Sequence, residues 1–330
     1  MRLISEKELK KYGKTYSLSK QAIALVNQQK ANWELASANY RSLKKVQTRS
    51  FDFGHFRIDC QFNPGRIRSS AANTSREAIQ SRPCFLCPGN LPPEQLGLPF
   101  QHDFTILTNP YPIFPYHLTI PANDHLPQQL TGKTEALLLL SHALSDFTVF
   151  YNGPRCGASA PDHFHFQAGL KEMLPVEDEL ENLIVNHSSL LAENGKIKVF
   201  AVENYLRRII CFRSDDKDQL VKHIEMATRF LPFSENEEPM MNLLAWVQSS
   251  YWNVVLFPRG LQRPWQYFAD EFDRLLVSPA AVEMGGLIIL PREEDFYKLT
   301  EKDLISVFDQ VTLHAEDFNR LKQKIKESVQ

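Results

Sequence analysis

Residues 163–167 read His-Phe-His-Phe-Gln. In a β-strand successive side chains point to opposite faces. A strand here sets His163, His165 and Gln167 on one face, while Phe164 and Phe166 anchor the other in a core. Three polar side chains in line are costly to bury unless they meet a ligand, a metal or one another. The segment before them, Asn152-Gly-Pro-Arg-Cys-Gly-Ala-Ser-Ala-Pro-Asp162, is rich in Gly, Ser and Pro. Turns of that composition collect backbone N–H groups around phosphate. A solvated polar sheet face is the other reading of the pattern, and it leaves the turn unexplained.

A second constellation lies upstream. The five cysteines, Cys60, Cys84, Cys87, Cys156 and Cys211, are odd in number and irregular in spacing, unlike a disulfide framework. Cys84-Phe-Leu-Cys87 is a C-x-x-C pair suited to metal or redox chemistry. With His125, which follows the end of a predicted strand, and His163, it makes a Cys2His2 set of the kind that binds tetrahedral zinc. The separations, 125 − 87 = 38 and 163 − 125 = 38, are not those of a zinc finger, so such a site would staple distant segments. A redox pair and two buried thiols remain open as alternatives.

The 330 residues, 43% of them hydrophobic, suffice for two modest domains. A net charge of −2 gives no sequence-independent pull toward nucleic acid or an anionic membrane. An anionic substrate therefore needs a local basic site. Arg66 is the first candidate among Arg66, Arg68, Arg76 and Arg82, with Arg155 in the turn; Arg259 and Arg263 are either contributors from the second half or surface residues. No apolar run reaches the roughly 18 residues of a membrane helix, and the N-terminal segment lacks the apolar core of a secretory signal. The expectation is a cytoplasmic protein.

Periodicity predicts helices over 18–43, 133–147, 176–185 and 218–230 and from 304 onward, with an N-cap at Asp215 or Asp216. It predicts strands over 51–62, 104–107, 117–120, 163–167, 198–202, 207–212, 253–257 and 286–290. Residues 69–82 read as a loop and 84–99 as irregular. The strand–helix–strand order recurs, so the fold class is α+β with two related lobes. The division is a helical extension over 1–50, the half bearing the histidine strand and zinc site over 51–172, and a related half over 173–330. His117 and His142, set among apolar residues, read as core or interface histidines.

The His-x-His-x-Gln strand, preceded by Asn152-Gly-Pro and Gly157-Ala-Ser159, resembles the histidine-triad superfamily, in particular its transferase branch. Cys84-Phe-Leu-Cys-Pro-Gly-Asn90 is similar to the zinc motif of galactose-1-phosphate uridylyltransferases. The Asn152 and Gly157–Ser159 segments, the run Trp252–Arg259, Ser278-Pro and Gly285-Gly286 are similar to diadenosine-tetraphosphate phosphorylases. The likeness spans roughly residues 50–300. It implies two histidine-triad-like halves, each an antiparallel sheet with flanking helices. It further implies that His165 is a nucleophile carrying a covalent nucleotidyl group, with its ring held by the carbonyl of His163. Gln167 would hold a phosphate oxygen and Ser159 the leaving phosphate, with Gly157 and Arg155 in the phosphate turn. Asn109 would lie near the ribose and Asn152 at phosphate or sugar. Cys84, Cys87, His125 and His163 would form a quartet for structural Zn2+. Two positions depart from the pattern: Asp162 separates Pro161 from His163, shifting Ser159 by one, and Pro110 stands where the phosphorylases carry a lysine.

The chemistry is consistent without the likeness. A neutral imidazole of fixed tautomer attacks an α-phosphorus, and Gln167 positions a phosphate without supplying a proton. That favours phosphate or a sugar phosphate over water as acceptor. The expected function is nucleotidyl transfer from an NDP-sugar or dinucleoside polyphosphate to such an acceptor through His165. The partners are these small molecules, with no nucleic acid and no membrane; a homodimer stays open. Two rivals remain: a non-catalytic nucleotide-binding or sensing protein, and a nucleotide hydrolase of the same superfamily.

Overall fold

Alternating and continuous apolar runs give fourteen strands among the described residues, and eleven of them join one sheet. The computed structural model of the chain describes residues 2–67, 76–233 and 237–329. Arg68 and the polar stretch 69–75 lie outside them. β1 (Arg2–Leu3) edges the large sheet. β2 (Gln47–Asp52) and β3 (Arg57–Phe62) form a hairpin where the sequence predicts one strand. The reason is local: Gly54, at φ 88°, turns the chain, and Asp52 Oδ1 accepts its N–H.

The first half supplies β4 (Leu96–Phe100), β5 (Phe104–Thr108), β6 (His117–Pro121), β7 (Phe147–Asn152) and β8 (His165–Leu170). Their spatial order is β4-β5-β6-β8-β7. The second half supplies β9 (Ser188–Asn194), β10 (Ile197–Val202), β11 (Ile209–Ser214), β12 (Met241–Gln248) and β13 (Tyr251–Pro258). From its outer edge it runs β9-β10-β11-β13-β12, the same order position by position. In each half a helix, Thr134–Ala143 or Lys217–Arg229, joins the third strand to the innermost one. Pairing within both halves is antiparallel.

The expectation of one sheet per half is corrected. β7 pairs with β12, setting Asn152 opposite Asn242 and Val149 opposite Ala245, so the halves share a single sheet. A second tie is parallel: β14 (Leu287–Leu290) pairs with β3. β7 and most of β12 are buried on both faces. Such strands show no alternation, and their sequences conceal them. β4, expected to be irregular, places Pro99 at its exposed position. Arg76–Gln80 is a short helix within the expected loop. The first helix divides at Trp33, and the last at Thr312–His314. Lys217–Arg229 is capped as expected, with the Asp216 carboxylate accepting the N–H groups of Asp218 and Gln219.

One core fills the face bearing Phe164, Phe166 and the helices Leu18–Asn32, Thr134–Ala143 and Lys217–Arg229; a second fills the opposite face around Phe150, Trp246 and Phe308. Polar groups bolt the halves together. Asn152 Oδ1 accepts from Asn242 Nδ2 and from the Ala281 N–H, each at 2.8 Å. Arg259, 3% exposed, donates to Asn242 Oδ1 and to the carbonyls of Pro279, Leu261, Gln262 and Val311. Pairing its donors in this way offsets the cost of burying a guanidinium. Arg259 is therefore a tie between segments. No helix among the described residues is long and apolar enough to cross a membrane.

Beside this junction, Glu238 accepts the Leu130 N–H and the Tyr151 hydroxyl. Burial nevertheless pushes its carboxyl from 4.5 up to about 7. Between those values the folded chain holds a proton that the unfolded chain has released. The contribution of Glu238 is therefore full below 4.5 and lost as pH rises through about 7. Urea unfolding between about pH 5 and 7 should show wild-type stability falling relative to Glu238→Gln, by about 1 kcal/mol per pH unit. Parallel profiles for the two proteins would overturn this assignment.

Candidate functional site

β6, β8 and β7 lie side by side, with Thr119 and Phe150 flanking Gln167 and Pro121 flanking His165. Strand alternation puts His165, Gln167, Thr119 and His117 on one face. His163 lies just before β8, and this corrects the expectation of three polar side chains pointing together. Its ring turns to the cysteines, while its carbonyl accepts from His165 Nδ1 at 2.9 Å. The proton of His165 therefore sits on Nδ1, and Nε2 has no hydrogen-bond partner among the described residues. Burial lowers the imidazole to about 4, so the ring is neutral at pH 7. Gln128 clamps this strand entry: its Oε1 accepts the His165 N–H at 2.8 Å, and its Nε2 donates to the carbonyls of His165 and Asn152. Pro127-Gln128-Gln129 carries no pattern that would have revealed this role.

Cys84, Cys87, His125 and His163 come together, with all four ligand atoms within 4.8 Å of one another. Cys84 Sγ lies 3.3 Å from His163 Nδ1, and Cys87 Sγ lies 3.2 Å from His125 Nδ1 and 3.6 Å from His163 Nδ1. A tetrahedral ion with bonds of about 2.0–2.3 Å sets sulfur and nitrogen about 3.5 Å apart, so the donor set fits a metal ion. His163 Nε2 donates to the Ala122 carbonyl at 2.8 Å, the outer bond that orients a metal-binding imidazole. Asp162 finds its place here. It pairs with Arg82 at 3.4 Å and lies 3.8 Å from His125 Nε2, behind the nitrogen facing Cys87.

The Gly153–Ser159 turn is seated on the second half. Gly157 has φ 97°, and a Cβ there would sit 2.3 Å from Ala280 Cβ. The N–H groups of Gly157, Ala158 and Ser159 and the Ser159 hydroxyl make no hydrogen bond within the described residues. Successive N–H groups without partners are the raw material of an anion-binding nest. Arg155, at the turn's outer side, pairs with Glu237 at 2.9 Å. Asn152 is buried, with its oxygen engaged by Asn242 and Ala281.

On the other flank, Asn109 Nδ2 donates to Thr119 Oγ1 at 3.0 Å and lies 3.5 Å from Gln167 Oε1. Its own Oδ1 accepts the Tyr111 N–H. Arg66 donates to the Tyr111 carbonyl at 2.6 Å, and burial lowers it to about 10. The structure thus gathers Asn109 with Gln167, and the four metal donors with one another. His117, expected as a core or interface histidine, is buried, and its Nε2 lies 3.1 Å from Gln167 Oε1. The polar alternation of His117-Leu-Thr119 was the signal that could have revealed it.

Residues 25–170 match a family described as a domain of unknown function, DUF4922, and residues 180–330 match the GDPGP1-like C-terminal domain. No curated protein matches the chain by sequence. Among solved structures, yeast Ap4A phosphorylase Apa2 superposes with a TM-score of 0.54 at 18% identity, over 90% of this chain and 98% of that one. The same enzyme in complex with Ap4A gives 0.51 at 15% identity, over 86% and 97%. A uridylyltransferase gives 0.43 at 14% identity, over 76% and 92%. The likeness to the phosphorylase is one of fold.

Two outcomes follow from this geometry. Purified protein should carry about one metal equivalent per chain, and Cys84→Ser should lower both metal content and Tm; unchanged values would overturn the quartet. Gly157→Ala should destabilise the fold by about 2 kcal/mol in urea unfolding. Adding Ala280→Gly should return part of that loss, because it relieves the contact and leaves the φ strain. Wild-type stability in Gly157→Ala would show that the turn does not need glycine.

Proposed function

We propose that the chain is a nucleotidyltransferase that moves a nucleoside monophosphate from an NDP-sugar or dinucleoside polyphosphate to phosphate or a sugar phosphate. The observation that carries this reading is His165: buried, neutral, with Nδ1–H held by a main-chain carbonyl and Nε2 without a hydrogen-bond partner among the described residues. In the first step the Nε2 lone pair forms a bond to the α-phosphorus. The P–O bond to the leaving sugar phosphate or polyphosphate breaks, and its electron pair departs with oxygen. In the second step an oxygen of the acceptor attacks the same phosphorus, and the P–N electron pair returns to Nε2. Splitting one displacement into two in this way is the benefit of a covalent carrier.

Gln167 serves as a neutral donor to the phosphoryl oxygens, and the Gly157–Ser159 N–H groups with the Ser159 hydroxyl meet the charge that develops on leaving. Asn109, beside Gln167, would lie toward the ribose, and Arg66, held by the Tyr111 carbonyl, would lie toward the further phosphates. Cys84, Cys87, His125 and His163 would hold Zn2+, which supplies a structural tie when bound. Through the His163 ring that tie would steady the carbonyl on which the tautomer of His165 depends. The shared fold with a protein whose description is Ap4A phosphorylase supports the reading, as does the GDPGP1-like match of the second half.

Intact-protein mass spectrometry tests the mechanism with diadenosine tetraphosphate, UDP-glucose, GDP-mannose and ADP-glucose as donors. Wild type should gain one mononucleotide mass from at least one donor. His165→Ala should gain none and lose about 10⁴-fold in kcat/KM. An adduct that persists in His165→Ala would remove His165 from its role.

A further inference from the structure

We infer that His117 is a positioning residue that fixes which end of the Gln167 amide faces the substrate phosphate. The inference rests on the reading of the site given above. A glutamine amide has a donor end and an acceptor end of nearly the same shape, so its orientation is set by its hydrogen-bond partners alone. The main-chain N–H of Ile113 donates to His117 Nδ1 at 3.2 Å. Nδ1 is therefore the acceptor nitrogen, and Nε2 carries the proton. Nε2–H points at Gln167 Oε1, 3.1 Å away. Asn109 Nδ2 approaches the same oxygen at 3.5 Å. With two donors converging on Oε1, the reversed amide would bring N–H groups against N–H groups. The Gln167 NH2 is thereby turned away from both, available to a phosphoryl oxygen. Reversal would present a carbonyl oxygen to an anion and turn an attractive contact into a repulsive one.

The fold holds this arrangement from three sides. His117 stands opposite Gly169 on β8, diagonal to Gln167 on the same face. Glycine leaves room there: the Phe114 ring lies where a Cβ on Gly169 would come within 2.4 Å. Phe114 meets the imidazole edge-on at 5.4 Å, and Phe150, the neighbour of Gln167 on β7, lies at 6.0 Å. Enclosed by these rings and fully buried, the imidazole cannot turn without displacing them. Burial, with the nearby charge of Arg66, lowers His117 to about 3. It remains a neutral donor, which orients Gln167 without competing for the phosphate as a cationic side chain would.

Two measurements test this on the full-length protein. The first needs no donor. Nitrogen NMR of the imidazoles should show His117 protonated on Nε2 and bare on Nδ1. The Gln167 side-chain amide, assigned by its loss in Gln167→Ala, should shift in His117→Phe. The opposite tautomer, or an unmoved amide, overturns the inference whatever reaction the site performs. The second is a double-mutant cycle on the rate of His165 labelling by whichever of diadenosine tetraphosphate, UDP-glucose, GDP-mannose or ADP-glucose labels wild type. His117→Phe should slow labelling about 10- to 100-fold, with the half-saturating donor concentration changed less than about threefold. His117→Gln, which restores an N–H donor, should recover most of the rate and guards against simple misfolding. In the Gln167→Ala background His117→Phe should add no further loss. An equal loss in both backgrounds overturns the inference, because packing would act regardless of Gln167. If no donor labels wild type, the proposed reaction falls while the NMR result still decides the role of His117.

Discussion

A buried guanidinium holds the residue through which the second half grips the first: Arg259 fixes Asn242, and Asn242 reaches across to Asn152. Arg259 brings five donor contacts into a space without solvent: the carbonyls of Leu261 and Gln262 just after it, and oxygens of three remote segments, Asn242, Pro279 and Val311. Loss of any one acceptor would leave a charged donor unmet, at a penalty of about 1–3 kcal/mol or more. Through Asn242 the same charge reaches Asn152 and the carbonyl of Cys156, hence both ends of the turn that leads to His165. The candidate site is thus shaped by a cation that does not line it.

Neutral hydrogen bonds finish the arrangement. The His163 carbonyl sets the tautomer of His165, Gln128 holds the strand on which it stands, and His117 meets Gln167. His163 joins the site to the metal-binding quartet because its ring and its carbonyl face different neighbours. Such a network is more rigid than one of solvated ion pairs, since all its members but the half-buried Gln167 are buried and have few alternative partners.

What was legible in the sequence was what period and local chemistry encode. Alternation around Phe164 and Phe166 located the central strand, and the pairing of Cys84 with Cys87 pointed to the metal donors. The Asp216 cap and the strands over 198–202 and 207–212 were read from a capping residue and apolar runs. β7 and β12 escaped because both faces are buried, so their runs lack the two-residue rhythm. The common sheet escaped with them, since a strand carries no mark of which partner it will take across a long separation. Asn242, Gln128 and His117 acquire their roles only through such pairings. Asp162, which looked like an interruption of the motif, lies between Arg82 and His125, a relation set by three remote segments.

The β7–β12 junction has a further consequence. Two five-stranded sheets of the same strand order meet at their inner edges, an arrangement that two separate copies of one unit would otherwise have to make by association. Here a covalent chain joins them, so dilution cannot part them and neither inner edge is left open to a stranger. Covalent linkage also frees the halves from identity. β8 carries His165 and Gln167, while β13, at the corresponding place, has no histidine or glutamine. Selection can therefore act on the supporting half and the reacting half separately, a latitude that a symmetric pair encoded by one gene segment does not have.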